Sequence, residues 1–193
     1  MDPRVERSRR VILDASLAVM AEVGYGELTI EAVAARAGVA KSTIYRHWDG
    51  KLSLIADALE TLKHPLDEDD PAATPRERLE RAIGELAGLL ADSTYSACIP
   101  AIVSAAERDP EVARFQRDFS EGRRQRMVAL VAAAVDAGEV ASSEDPAVIA
   151  EHLVAPLFFR RLMTPDPYPP AEVPAHVQRV LGPAPGSPEH EVR

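Results

Sequence analysis

Apolar residues recur at helical spacing along most of the 193-residue chain, and no segment shows the alternating pattern of a strand. The first helix is predicted to run from Val11 until Gly24 and Gly26 end it. Its apolar face consists of Ile12, Ala15, Val19, Met20 and Val23. The chain is therefore predicted to be all-α, with about nine helices.

Residues 28–54 predict two short helices joined by a tight turn, followed by the start of another helix. Thr29 precedes an apolar run and is a suitable N-cap, while Gly38 can adopt the left-handed conformation that ends a helix. Lys41 opens the next helix, whose main inward residue is Ile44. Ala40 offers no side-chain cap. This spacing fits a helix-turn-helix, and equally a simple helical corner with a solvated polar face.

The remaining helices are predicted from amphipathic runs and proline positions. Pro100 is expected at a first helical position, and Pro156 is expected to kink a longer helix. The predicted ranges are 51–62, 76–90, 100–106, 112–137, 145–163 with the proline kink, and 171–181.

Charge is unevenly distributed between the two ends of the chain. The net charge is −9, yet residues 1–63 hold nine basic and nine acidic residues, so the excess of acid lies beyond them. Arg4, Arg7, Arg9 and Arg10 form a short basic arm that could follow a phosphate backbone. Local rather than total charge governs docking to DNA. Residues 1–63, called the head below, are neutral and therefore compatible with DNA binding.

The sequence predicts a cytoplasmic protein without cofactor, metal site or catalytic constellation. A single cysteine, Cys98, excludes an internal disulfide framework, and no apolar run reaches the roughly 18–20 residues of a membrane span. Cys98 is interpreted as a buried thiol or as a redox sensor. The acidic run 67–70 lacks metal-ligand spacing, and no hydrolase, metalloprotease or phosphate-loop motif is present.

The segment 24–59, GYGELTIEAVAARAGVAKSTIYRHWDGKLSLIADAL, resembles the DNA-binding domain of the TetR/AcrR family of bacterial transcriptional regulators. The resemblance implies an N-terminal three-helix domain whose third helix enters the major groove. Lys51 stands where the family has a near-constant lysine, and Trp48 replaces the commoner phenylalanine. The positions implied to contact DNA are Arg9, Thr29, Lys41, Ser42, Thr43, Tyr45, Arg46, His47 and Lys51.

The segments 108–115, 138–140 and 145–163 resemble, more weakly, a C-terminal domain common in that family, which binds an effector and forms the dimer. The implied domains are a DNA-binding domain at 1–63, a linker at 64–75, an effector and dimerisation domain at 76–182, and a disordered tail at 183–193. The implied effector pocket comprises Leu86, Leu90, Tyr95, Ile102, Phe115, Phe119 and Phe159. Leu153, Leu157 and Phe158 are candidate dimer contacts, with the core of the monomer as an equal alternative for each.

The resemblance predicts a homodimeric repressor that binds double-stranded DNA at a palindromic operator and is released by a small apolar effector. An activator with the same DNA-binding mode, and a helical module that binds protein instead of DNA, are the alternatives. A helical enzyme is a third and weaker hypothesis, since no catalytic motif supports it.

Overall fold

A computed structural model describes residues 3–61, 72–91, 94–140 and 143–182. Within these ranges all regular structure is helical, which confirms the predicted fold class. The predicted tail, and the linker before residue 72, lie outside the described residues. The helices are α1 (Pro3–Glu27), α2 (Ile30–Ala37), α3 (Lys41–Tyr45), α4 (Lys51–Thr61), α5 (Pro75–Ala91), α6 (Thr94–Ala106), α7 (Pro110–Asp136), α8 (Pro146–Met163) and α9 (Val173–Leu181), with a 3-10 turn at Pro170–Glu172.

The helices form two compact units that do not follow chain order. The first contains α1–α4 together with α6 and α7 as far as Asp118, and the second contains α5, the rest of α7, α8 and α9. Helix α6 therefore packs with the N-terminal helices. The division of function at residues 63 and 76 remains a prediction.

In the first unit, α1 is the central helix, and α2, α4 and α6 pack against it. Its inward residues Ile12 and Met20 have no exposed area. Cys98 of α6 is also fully buried, with its Sγ 3.6 Å from the carbonyl oxygen of Leu17. Burial raises the pKa of the Cys98 thiol to about 12, so the structure favours the buried, unreactive thiol over the redox sensor.

In the second unit, α5, α8 and α9 pack together, and Arg76 at the start of α5 is buried. The Arg76 side chain donates to the carboxylate of Glu80 (3.0 Å) and to the backbone carbonyls of Glu139 (3.3 Å) and Gly182 (2.8 Å). The Glu139 carboxylate in turn accepts from the Arg76 backbone N–H at 2.7 Å. Arg76 therefore links the start of α5 to the residues that follow α7 and α9.

Two helices begin well before their predicted starts. Helix α6 begins at Thr94, so Pro100 lies inside it rather than at its start. Because Tyr95 and Cys98 are buried, the first turns gain packing that offsets the backbone hydrogen bond that proline cannot donate. Helix α1 begins before Val11 and reaches Glu27, although the backbone of Gly24 is non-helical (φ 78°, ψ 168°) as the predicted break requires.

No single described helix is long and apolar enough to cross a bilayer, although α5 and α6 together pass that test. Within the described ranges no group of three or more His, Cys, Asp or Glu side chains could hold a metal ion. The acidic run 67–70 lies outside those ranges.

Candidate nucleic-acid interface

The turn between α2 and α3 is built by local backbone chemistry. Thr29 caps α2, since its side-chain oxygen accepts the Ala32 N–H at 3.1 Å, and Gly38 ends the helix in a left-handed conformation (φ 67°, ψ 33°). The N–H of Val39 then bonds back to the Ala34 carbonyl at 3.0 Å. These features confirm the predicted cap and turn.

Helix α3 has one buried and one exposed side. Ile44 has no exposed area, and Trp48, three residues after the end of the helix, is 4% exposed, so both anchor the segment in the first unit. As predicted, Ala40 provides no side-chain cap. Thr43 is half-buried, whereas the predicted DNA contacts Lys41, Ser42, Tyr45, Arg46 and His47 are exposed. Lys41, Ser42 and Tyr45 therefore lie on the outer side of α3, and the exposed residues Arg46 and His47 follow directly after it.

Lys41 is paired in the absence of DNA. Its Nζ lies 2.8 Å from the Glu31 carboxylate of α2, and both side chains are more than half exposed. The hydrogen bond between them lowers the pKa of Glu31 and raises the pKa of Lys41. Exposed ion pairs contribute little to stability, so a DNA acceptor could displace Glu31 without unfolding the head.

Arg9, another predicted DNA contact, takes part in a cluster that joins α1 to α4. Its Nη2 is 2.5 Å from Asp57 Oδ2, and the same oxygen accepts from the Trp48 indole N–H at 2.8 Å. The guanidinium lies 5.8 Å from the centre of the Trp48 ring. Asp57 therefore fixes both Trp48 and Arg9, and it was not predicted because its partners are distant in sequence.

Lys51 lies at the start of α4, as predicted, but its ammonium group points to the end of α1. It donates to the backbone carbonyls of Tyr25 (2.9 Å), Gly26 (3.2 Å) and Leu28 (3.5 Å). It also lies 4.4 Å from the centre of the Tyr25 ring. The phosphate contact predicted for Lys51 would have to compete with all of these interactions.

Comparison with known proteins identifies the family. Residues 12–58 match the domain described as "Bacterial regulatory proteins, tetR family", and residues 71–180 match "Tetracyclin repressor-like, C-terminal domain". The chain belongs to the TetR family. It is therefore related to DNA-binding transcriptional regulators with a helix-turn-helix, which confirms the resemblance read from the sequence.

Named transcriptional regulators align with more than half of the chain. The regulator YdeS of Bacillus subtilis is 29% identical over 166 residues, 85% of this chain and 83% of its own length. The repressor KstR of Mycolicibacterium smegmatis is 35% identical over 133 residues, 61% of this chain and 65% of its own. The structure of FadR from Bacillus subtilis in complex with stearoyl-CoA has a TM-score of 0.64 at 18% identity, covering 89% of this chain and 97% of that one, and shares the fold.

The residues predicted to line a TetR-family effector pocket fall in both compact units. Tyr95, Ile102 and Phe115 belong to the first, and Leu86, Leu90, Phe119 and Phe159 to the second. Leu90, Tyr95 and Ile102 are buried, while Leu86, Phe115 and Phe119 are half-buried. Phe159 is 62% exposed, which favours a surface position for it over the predicted pocket position. The pocket assignment of the others remains a prediction.

The candidate dimer contacts on α8 divide by exposure. Leu153 and Leu157 have no exposed area and pack inside the subunit, so their surroundings favour the monomer-core alternative; Phe158 is half-buried. The exposed side of α8 carries other apolar residues that were not selected from the sequence. They follow one helical stripe and comprise Val148, Ala155, Phe159, Leu162 and Met163.

Proposed function

We propose that this TetR-family regulator is a homodimeric repressor that binds a palindromic operator through α3 and is released by a small apolar effector. The observation that carries the DNA-binding part is the set of polar side chains on the outer side of α3. Ile44 and Trp48 hold that helix from behind, so the exposed side is available to a major groove.

The DNA-binding part is tested by selecting duplexes of about 30 base pairs from a random library with the full-length protein. Enriched sequences should contain two inverted half-sites about one helical turn, or a multiple of it, apart. Tyr45→Ala should weaken binding to all enriched duplexes, whereas Ser42→Ala should alter preference among them. Arg81→Ala, at an exposed position on α5, is the matched control. Enrichment of no sequence would contradict the proposal.

The homodimer part is supported by the apolar stripe on the outer side of α8. Phe159 and Met163 are 62% and 73% exposed, an unusual position for large apolar side chains unless another surface covers them. Phe159→Glu should convert a dimer to a monomer in sedimentation equilibrium, while Glu151→Gln on the same side should not. A wild-type protein that is monomeric at micromolar concentration would contradict this part.

The effector part is supported by the apolar character of the predicted pocket residues and by the FadR structure, whose stearoyl-CoA carries a long apolar chain. The effector must bind the DNA-free state more tightly, because equal affinity for both states shifts nothing. Fatty acids and acyl-CoA thioesters of graded chain length should raise the thermal midpoint of the protein and release the selected duplex. Leu86→Trp should block the response and leave DNA affinity intact.

A reporter gene placed behind the selected operator separates repression from activation. Deletion of the regulator should raise reporter expression if it represses and lower it if it activates. A cytoplasmic location, which these functions require, is part of the proposal and is checked by fractionation.

A further inference from the structure

Lys51 stands where the family resemblance implies a phosphate contact, but its surroundings point to another task. The three carbonyl oxygens within 3.5 Å of its Nζ match the three donors of an ammonium group. We infer that Lys51 is a positioning residue for DNA binding, which holds the end of α1 and the entry to α2 against the start of α4. This inference rests on the proposed DNA-binding function.

The carbonyls involved are those that most need a partner. Tyr25 and Gly26 lie in the last turn of α1, where helix carbonyls have no intrahelical donor. A cation at this end of a helix also interacts favourably with the helix dipole. The third carbonyl, that of Leu28, directly precedes the cap residue Thr29. One ammonium group therefore fixes the point at which the chain leaves α1 and enters α2.

The Tyr25 ring adds a contact to the same ammonium group. Tyr25 is only 6% exposed, and its ring centre lies 4.4 Å from the Lys51 Nζ, within the range of a cation–π contact. Burial, with Asp109 and Glu111 nearby, raises the pKa of Tyr25 to about 12. The ammonium group is thus held by one ring and three carbonyls of the same corner.

The position of that corner matters because α2 carries the turn that orients α3. Helix α2 packs on α1 and α3 packs on α2, so a shift at residues 25–28 would be transmitted to the exposed residues of α3. Asp57 already anchors α4 to α1 through Arg9, at a different point. Lys51 supplies an attachment next to the start of α2, through the Leu28 carbonyl.

The test compares Lys51→Met, which removes charge and donors, with Lys51→Gln, which removes the charge but keeps an amide donor. Affinity for a selected duplex is measured by fluorescence anisotropy at several salt concentrations, and the unfolding of the DNA-free protein is followed by emission of its single tryptophan, Trp48. Arg46→Met, at the exposed residue that follows α3, serves as the comparison for loss of a basic residue.

For a positioning role, Lys51→Met should weaken DNA binding about tenfold, as expected for loss of hydrogen bonds to a charged donor, and should lower the thermal midpoint without DNA. The slope of log affinity against log salt for Lys51→Met should stay within about 0.3 of the wild-type slope. Lys51→Gln should recover at least half of the log affinity that Lys51→Met loses.

A phosphate contact makes different predictions. Both variants would lower the salt slope by about 1.8, which is about 0.9 for each subunit of the proposed homodimer, and would weaken binding equally, and the DNA-free protein would keep its thermal midpoint. That result would overturn the inference. If Lys51→Met does not fold, the slope and affinity of Lys51→Gln decide alone. A wild-type protein that binds no selected duplex would instead refute the proposed function.

Discussion

Arg76→Met is the substitution whose effect on stability follows most directly from the structure. The Arg76 side chain is 7% exposed and joins α5 to two distant backbone segments by hydrogen bonds to Glu139 and Gly182. Methionine keeps much of the aliphatic volume but donates no hydrogen bond, so the variant removes mainly the polar links.

The size of the effect is the sum of a few contributions. Each lost hydrogen bond from the charged group to a backbone carbonyl costs about 1.5 kcal/mol. The Glu80 carboxylate is 37% exposed and can regain water, so its part is smaller. Some gain from burying the methionine opposes these losses. We expect a loss of about 3 kcal/mol, which lowers the thermal midpoint of a chain of this length by about 6–12 °C.

The assay is thermal and urea unfolding of the full-length protein followed by circular dichroism. Glu80→Gln is the matched control, since it weakens the exposed ion pair and leaves both carbonyl contacts, and it should lower the midpoint by no more than about 2–3 °C. A loss below about 1 kcal/mol for Arg76→Met would refute the reasoning, because the buried contacts would then contribute no more than exposed ones.

Three further predictions follow from single residues. Thr29→Ala should cost about 1 kcal/mol in thermal unfolding through loss of the α2 cap, with Thr94→Ala as an exposed threonine control. Gly38→Ala should cost about 1–2 kcal/mol in urea unfolding, because alanine would have to adopt the left-handed φ of 67°. The added Cβ would meet no neighbouring atom within 4 Å, so the cost comes from the backbone conformation, and Gly38→Asn should cost less. Burial raises the pKa of the Cys98 thiol from 9.0 to about 12 in the folded protein, so above pH 9 the thiol of the unfolded chain loses its proton first. The free energy of unfolding, measured at a series of pH values, should therefore fall between about pH 9 and 12. Cys98→Ala should remove part of that fall and leave the part due to Tyr25, whereas an unchanged alkaline profile would contradict the assignment.

Features that depend on a few neighbouring residues could be predicted from the sequence. The Thr29 cap, the Gly38 turn and the uncapped start of α3 each follow from side-chain chemistry within about four residues. The capping box at the start of α5 was not predicted, although it has the same local origin, since Thr74 and Glu77 bond reciprocally to each other's backbone N–H groups. Local rules were sufficient here because both partners lie on one turn of the chain.

The faces of α8 could not be assigned from the sequence. The helix has apolar residues on opposite sides, with Leu153 and Leu157 on one and Phe159 and Leu162 on the other. A helix that is apolar on more than one side gives no periodicity to distinguish core from surface. The structure separates them because α5 and α9 pack against only one side.

Three basic residues of the head show that the type of a residue and its place in the sequence do not by themselves determine its role. Arg9, Lys41 and Lys51 were all predicted to contact DNA, and each has protein partners 10 to 48 residues away in the chain. The partners differ in kind. Glu31 is exposed and can give up Lys41 to a stronger acceptor, whereas two of the three carbonyls around Lys51, those of Tyr25 and Gly26, are terminal helix groups that would be left without a donor. The same residue type at neighbouring positions is therefore expected to differ in salt dependence, with Lys41 behaving as a charge available to DNA and Lys51 as part of the framework that presents it.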